Sequence, residues 1–251
     1  MSEFPKSPRR GEFPSTQWSM VVNAGEGSDS QARVALESLC RQYWYPLYTF
    51  IRQRGRPHHE AEDCTQEFLA RLLASEAIAK ASPERGRFRN FLLASLQHYL
   101  ANEWQSRQAI KRGAGQVLLP LDFDTAGERF VREPVDPGLT PEQAFDRNYA
   151  LDMINSAIEA LRNDYEKTGK GKLFAVLRPL MWGNASPESL AQHAERFGMK
   201  PHAFTVNLQR LRVRLGERLR FEVSQTVADE ADVDAELRYL IAASSGPGAT
   251  R

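Results

Sequence analysis

Between Pro83 and Gly113 two groups of basic residues bracket a polar, almost uncharged face. Arg85, Arg87 and Arg89 precede it, and Arg107, Lys111 and Arg112 follow it. At about 100° per residue, Phe88, Leu92, Ser95, Leu96 and Tyr99 fall on one side of a helix. Gln97, His98, Ala101, Gln105 and Gln108 fall on the other, with Trp104 at its edge. Amides beside an aromatic ring suit base edges and stacked bases, and the flanking cations suit phosphates. That chemistry is recognition rather than bond-making. The competing reading is a core helix with a polar back. Against a purely solvated face stands the absence of interleaved Glu and Lys pairs.

A second stretch offers the same kind of chemistry. From Arg196 to Arg220 the seven basic residues Arg196, Lys200, Arg210, Arg212, Arg214, Arg218 and Arg220 face one acid, Glu217. Ser186 and Pro187 start a helix that ends near Phe197, and Gly198-Met199-Lys200 is a turn. Pro201 then opens a long helix with the stripe Phe204, Leu208, Leu211, Leu215 and Leu219. His202, Asn207, Gln209, Arg210 and Arg214 lie away from that stripe. This is the pattern of a helix-turn-helix whose second helix can enter a major groove. The plainer alternative is a helical hairpin, and the basic excess favours the first reading.

A third group sits at His58, His59, Glu60 and Cys64. Its spacing matches no common zinc pattern, so no metal site is expected there. Cys40 and Cys64 fall within apolar-periodic segments and read as buried free thiols, which fits a reduced, cytoplasmic setting. There is no Gly-rich phosphate loop and no nucleophile elbow, so the chain is not read as an enzyme and no cofactor is expected.

The elements that must position these groups are all helical. The 251 residues carry a net charge of +1, and hydrophobics are 41% and charged residues 26%, within the range of soluble globular chains. No apolar run approaches the length of a membrane span, and the N-terminus, with Pro5, Pro8 and Arg9-Arg10 but no apolar core after them, does not read as a signal peptide. Residues 1–30 read as an N-terminal extension. Helices are expected at about 31–54, kinked or broken near Tyr45 by Pro46, and at about 59–73 and 75–81. Residues 113–139, punctuated by Gly and Pro, read as a linker. Thr140-Pro141 starts a helix to about residue 165, and another covers about 170–181 to Pro179. The six acids Glu222, Asp229, Glu230, Asp232, Asp234 and Glu236 follow the basic block, and residues 224–251 read as an acidic tail with a helix at 233–241.

Two such units in this order resemble the bacterial sigma-70 class of RNA polymerase sigma factors, most closely the small extracytoplasmic-function (ECF) type with regions 2 and 4. Residues 31–112 align with a region 2 domain and 140–223 with a region 4 domain. Ala61-Glu62-Asp63-Cys64-Thr65-Gln66-Glu67-Phe68 is similar to the family's "DAEDLVQETF" helix. That resemblance implies that Glu62, Asp63, Gln66 and Glu67 dock on the β′ clamp helices of core RNA polymerase. Phe91-Leu92 matches the start of "WLxRIARNxxxDxxRR"; Gln97-His98 replace its Arg-Asn, Asn102 replaces its Asp, and Arg107 keeps a basic position. The resemblance implies −10 promoter opening by Arg87, Arg89, Gln97, His98, Asn102, Trp104, Gln105, Arg107, Lys111 and Arg112.

The C-terminal unit resembles "EIAxxLGxSxGTVRSRLxRAxxxL" through Leu190-Ala191, Phe197-Gly198-Met199 and Leu208-Gln209-Arg210. By this likeness Lys200, His202, Thr205, Asn207, Gln209, Arg210 and Arg214 would read the −35 element. Arg to guanine and Asn or Gln to adenine each discriminate by roughly 1–3 kcal/mol. The implied partners are core RNA polymerase, including its β flap, promoter DNA and an anti-sigma factor, with no membrane segment. The other reading is a helical interaction or regulatory protein that keeps polymerase- or regulator-binding surfaces without promoter melting.

Overall fold

A computed structural model of the chain describes residues 29–74, 87–109, 136–183, 185–227 and 229–246, with the side chains of 29–40, 73–74 and 104–109 excepted. The described residues form helices and turns, with no strand among them. In order these are α1 (Asp29–Gln53), α2 (His58–Ala74), α3 (Phe88–Ala109), α4 (Pro141–Lys167), α5 (Gly171–Leu177), α6 (Pro187–Arg196), α7 (Pro201–Ser224) and α8 (Val233–Ser244). Short 3₁₀ turns occupy Arg178–Trp182 and Glu230–Asp232. The expected helix at 75–81, most of the N-terminal extension and most of the linker lie outside the described residues.

The chain divides into two compact units, residues 1–150 with 223–251, and residues 151–222. The first departs from the expected domain boundaries, because it includes the start of α4 and the acidic tail. Its core begins on α1 with Tyr43, Trp44, Leu47, Phe50 and Ile51, all buried. α2 adds Ala61, Cys64, Phe68, Leu69 and Leu72, and α3 adds Phe88, Leu92, Leu96 and Tyr99. The Tyr43 ring meets Phe88 edge-on at 5.5 Å and stacks on Tyr149 of α4 at 5.1 Å. Such aromatic pairs add about 0.5–1.5 kcal/mol beyond the area they bury.

Of the kink or break expected near Tyr45, the break is absent, and α1 continues through Pro46 as one helix. Pro46 is itself buried, and Thr49 donates its hydroxyl to the Pro46 carbonyl at 2.8 Å. Core contacts on both sides of Pro46 offset the roughly 3 kcal/mol that an interior proline costs a helix. α4 starts with a reciprocal cap. The Thr140 hydroxyl accepts from the Gln143 amide at 3.2 Å, and the Gln143 side chain accepts from the Thr140 amide at 2.9 Å.

The tail is the main departure. Val233, Glu236, Leu237 and Leu240 recur at helical spacing and are all buried. The acidic composition of 224–251 conceals this stripe, which makes α8 part of the first unit's core rather than a solvated appendage. The residues after Val223 also close the start of α3, where the Phe88 amide donates to the Thr226 carbonyl at 3.2 Å.

The second unit packs the remainder of α4 with α5, α6 and α7. Met153, Ile158, Leu161 and Tyr165 of α4, Phe174 and Leu177 of α5, and Ala194 of α6 are buried. The whole expected stripe of α7, from Phe204 to Leu219, is buried as well. α5 gives way to the 3₁₀ turn just before Pro179, where a helix end or kink was expected.

Candidate nucleic-acid interface

On α3 the buried side is the one read from the sequence, with Ser95 partly covered. His98, Ala101 and Asn102 are exposed on the opposite side. Gln97 is half-buried, and its Nε2 donates to Glu142 Oε1 at 3.2 Å. His98 and Asn102, one helical turn apart, therefore share an open, uncharged face. The side chains of Trp104, Gln105 and Arg107, and the whole of Lys111 and Arg112, lie outside the described residues.

The basic group before α3 is placed otherwise than expected. Arg89 is only 5% exposed. Its Nε donates to Glu236 Oε1 at 2.6 Å and its Nη1 to Asp146 Oδ1 at 2.5 Å. The Tyr239 ring lies 4.7 Å from the guanidinium carbon, and the Tyr239 hydroxyl donates to Asp146. Hydrogen bonds to Glu236 and the charge of Asp146 hold the Arg89 pKa above its ordinary value against the burial that would lower it. Burial raises the Asp146 carboxyl, and Arg89 moderates the rise. Arg87 is more open, and its Nη1 lies 2.9 Å from Glu236 Oε2. In this arrangement the guanidinium expected to meet phosphate is occupied by carboxylates of the chain itself, Glu236 and Asp146.

On α2 Asp63 is exposed, and Glu62, Gln66 and Glu67 are half-buried. Positions 62 and 66, and 63 and 67, are one turn apart and form a continuous acid and amide surface. Glu67 pairs with Arg71 at 2.5 Å, and Glu62 lies 3.4 Å from His58 and 3.9 Å from His59. Ligand atoms of His58, His59 and Glu62 lie within 4.8 Å of one another, so these three residues could hold a metal ion. The sequence grouping had included Glu60 and Cys64 and omitted Glu62. Cys64 is a buried free thiol whose Sγ lies 3.6 Å from Glu103 Oε2. The Cys40 side chain is outside the described residues.

In the second unit α6 and α7 are joined by the expected turn. The Ser186 hydroxyl accepts from the Ser189 amide at 3.2 Å and caps α6. Gly198 has φ +61°, and the Met199 amide donates back to the Ala194 carbonyl at 2.9 Å. That is how a helix ends when a left-handed residue follows it. α7 then presents Lys200, His202, Thr205, Gln209 and Arg210 to solvent on or beside its first three turns. Thr205 and Asn207 also bond their own helix, at Pro201 O (3.1 Å) and Ala203 O (2.7 Å).

Arg214 departs from the expected group. Its Nη2 lies 3.0 Å from Asp164 Oδ2, and its guanidinium sits over the Tyr165 ring. It ties α7 to α4 within the second unit. Arg212 was counted only as part of the basic block. It donates to the carbonyls of Met181, Leu180 and Gly183 at 3.2, 2.9 and 2.5 Å and closes the end of the 3₁₀ turn. No sequence period signals such a long-range cap.

No helix among the described residues is long and apolar enough to cross a membrane. No family model, no curated protein and no solved structure matches the chain.

Proposed function

We propose that the chain is a transcription initiation factor of the sigma type with no catalytic activity of its own. It binds core RNA polymerase through the Glu62, Asp63, Gln66 and Glu67 surface of α2, reads a −35 element with α7, and opens −10 DNA with α3. One observation carries the reading. A capped helix and a tight turn present Lys200, His202, Thr205, Gln209 and Arg210 together at the exposed start of α7. Their mix of amides, hydroxyl and cations suits a major groove. The open His98 and Asn102 face of α3 adds a surface for unpaired bases, whose pockets must repay a few kcal/mol of unstacking. The sequence likeness to regions 2 and 4 supplies the polymerase partner.

Reconstitution with core polymerase tests this reading. Promoter-specific run-off transcripts are expected. A specific observation favours a second reading, in which the chain binds polymerase or a regulator without melting DNA. Arg89 and Arg214, two of the cations assigned to DNA, are engaged in internal ion pairs. Binding to core without transcripts would select that reading. Duplex binding with no polymerase contact would point instead to a free-standing repressor-type helix-turn-helix protein.

A further inference from the structure

The side chain of Glu236 is fully buried, yet it belongs to a short acidic helix with an otherwise open surface. Asp234, Ala235, Arg238 and Ala242 are exposed, and Tyr239 and Ile241 are each 46% exposed. Apart from Glu236, the buried residues of α8 are Val233, Leu237 and Leu240. Its other anchor is electrostatic. Arg89 grips the Glu236 carboxylate from two nitrogens, Nε at 2.6 Å and Nη2 at 3.4 Å, and Arg87 reaches the same Oε2 at 2.9 Å. Two guanidinium groups around a two-oxygen anion form a fork that fits a phosphate as well as a carboxylate. Asp146, which pairs with Arg89 from α4, also accepts a hydrogen bond from the Tyr239 hydroxyl of α8. With Glu236 in place the two cations and two anions balance, and without it the pocket is net positive. Arg89 lies in the first turn of α3, the helix assigned to unpaired bases.

We propose that Arg87 and Arg89 form a binding position for a nucleic-acid backbone phosphate, and that Glu236 of α8 occupies it as a competing intramolecular anion. The inference rests on the DNA-binding reading and adds its regulation. A helix held by a few apolar side chains and a buried ion pair is suited to local opening, because such a pair adds little net stability over its desolvation cost. Asp229, Glu230 and Asp232 before α8 and Asp234 in its first turn add to the negative charge of the same segment. The tail then lowers affinity for DNA until a correctly placed strand displaces it.

The test uses the full chain and a fluorescently labelled single-stranded oligonucleotide at fixed salt. Glu236→Gln keeps the shape of the side chain and removes its charge. It should tighten binding roughly tenfold, the factor expected for one charge-assisted hydrogen bond. Adding Arg87→Ala to Glu236→Gln should cancel the gain. Hydrogen exchange on the unaltered chain needs no variant to fold. Saturating oligonucleotide should speed exchange of the 233–244 amides. Unchanged or slower exchange there, or a folded Glu236→Gln that binds no tighter, overturns the proposal. Core-polymerase pull-down run in parallel separates the two claims, because the α2 surface shares no residue with this pocket. Core binding without competition removes the tail's role alone, and competition without core binding removes the initiation reading alone.

Discussion

At Arg89 one guanidinium meets a carboxylate from α4, a carboxylate from α8 and the face of an aromatic ring. Removing it by Arg89→Leu leaves Asp146 buried without its cation and Glu236 with Arg87 alone. We expect a loss of about 3–5 kcal/mol, read as a lower urea midpoint, the usual cost of breaking a buried pair from one side. Tyr149 makes a second residue-scale prediction. Burial pushes its hydroxyl up to about 12 from 10.0, and Tyr43, stacked on it, is raised for the same reason. A raised folded-state value means that the contribution is fully present below pH 10 and is lost as pH climbs towards 12. Urea unfolding at pH 8 and pH 11 should therefore show a fall in stability, and Tyr149→Phe should make that fall smaller without abolishing it, since Tyr43 is raised as well. These surroundings were not legible in the sequence. Arg89 reads there as one of three neighbouring cations, while its partners are 57 and 147 positions away. Only the folded chain shows which charges neutralise each other.

The helices themselves were much more legible. The α7 stripe, the buried side of α3, the cap at Ser186 and the start of α4 at Pro141 all follow from spacing and terminal residues, and each is present. Local rules fail where tertiary packing outweighs them. α1 runs through Pro46 because the chain on both sides of it is buried. α8 escaped as a core element because the acids before and within its first turn hid an apolar stripe of normal helical period. The turn between α6 and α7 gives a prediction at this scale. Gly198 sits at φ +61°, and a Cβ there would meet nothing within 4 Å. The cost of Gly198→Ala is therefore purely conformational, roughly 1–2 kcal/mol. A thermal melt should show this destabilisation, with a matching loss of duplex binding only if the turn sets the angle of α7.

For the molecule as a whole, the proposed function divides between the two units. The first unit carries the α2 surface and α3, and the second carries the helix-turn-helix. The candidate residues were legible as types and positions on helices, and most of those described on α2, α3 and α7 are accessible. Their engagement with the rest of the chain was not legible, because charge composition is silent about pairing. Replacing Asp63 and Glu67 with Lys should sharply weaken capture of core polymerase while circular dichroism stays helical, since Asp63 is exposed and the Glu67–Arg71 pair is an i, i+4 pair at the surface. Unaltered capture would remove that docking surface. The most direct measurement of the central claim is selection of DNA from a random duplex pool by the chain reconstituted with core polymerase. The account predicts two enriched sequence blocks at a fixed separation, both dependent on polymerase. A single block enriched equally well by the chain alone would contradict it.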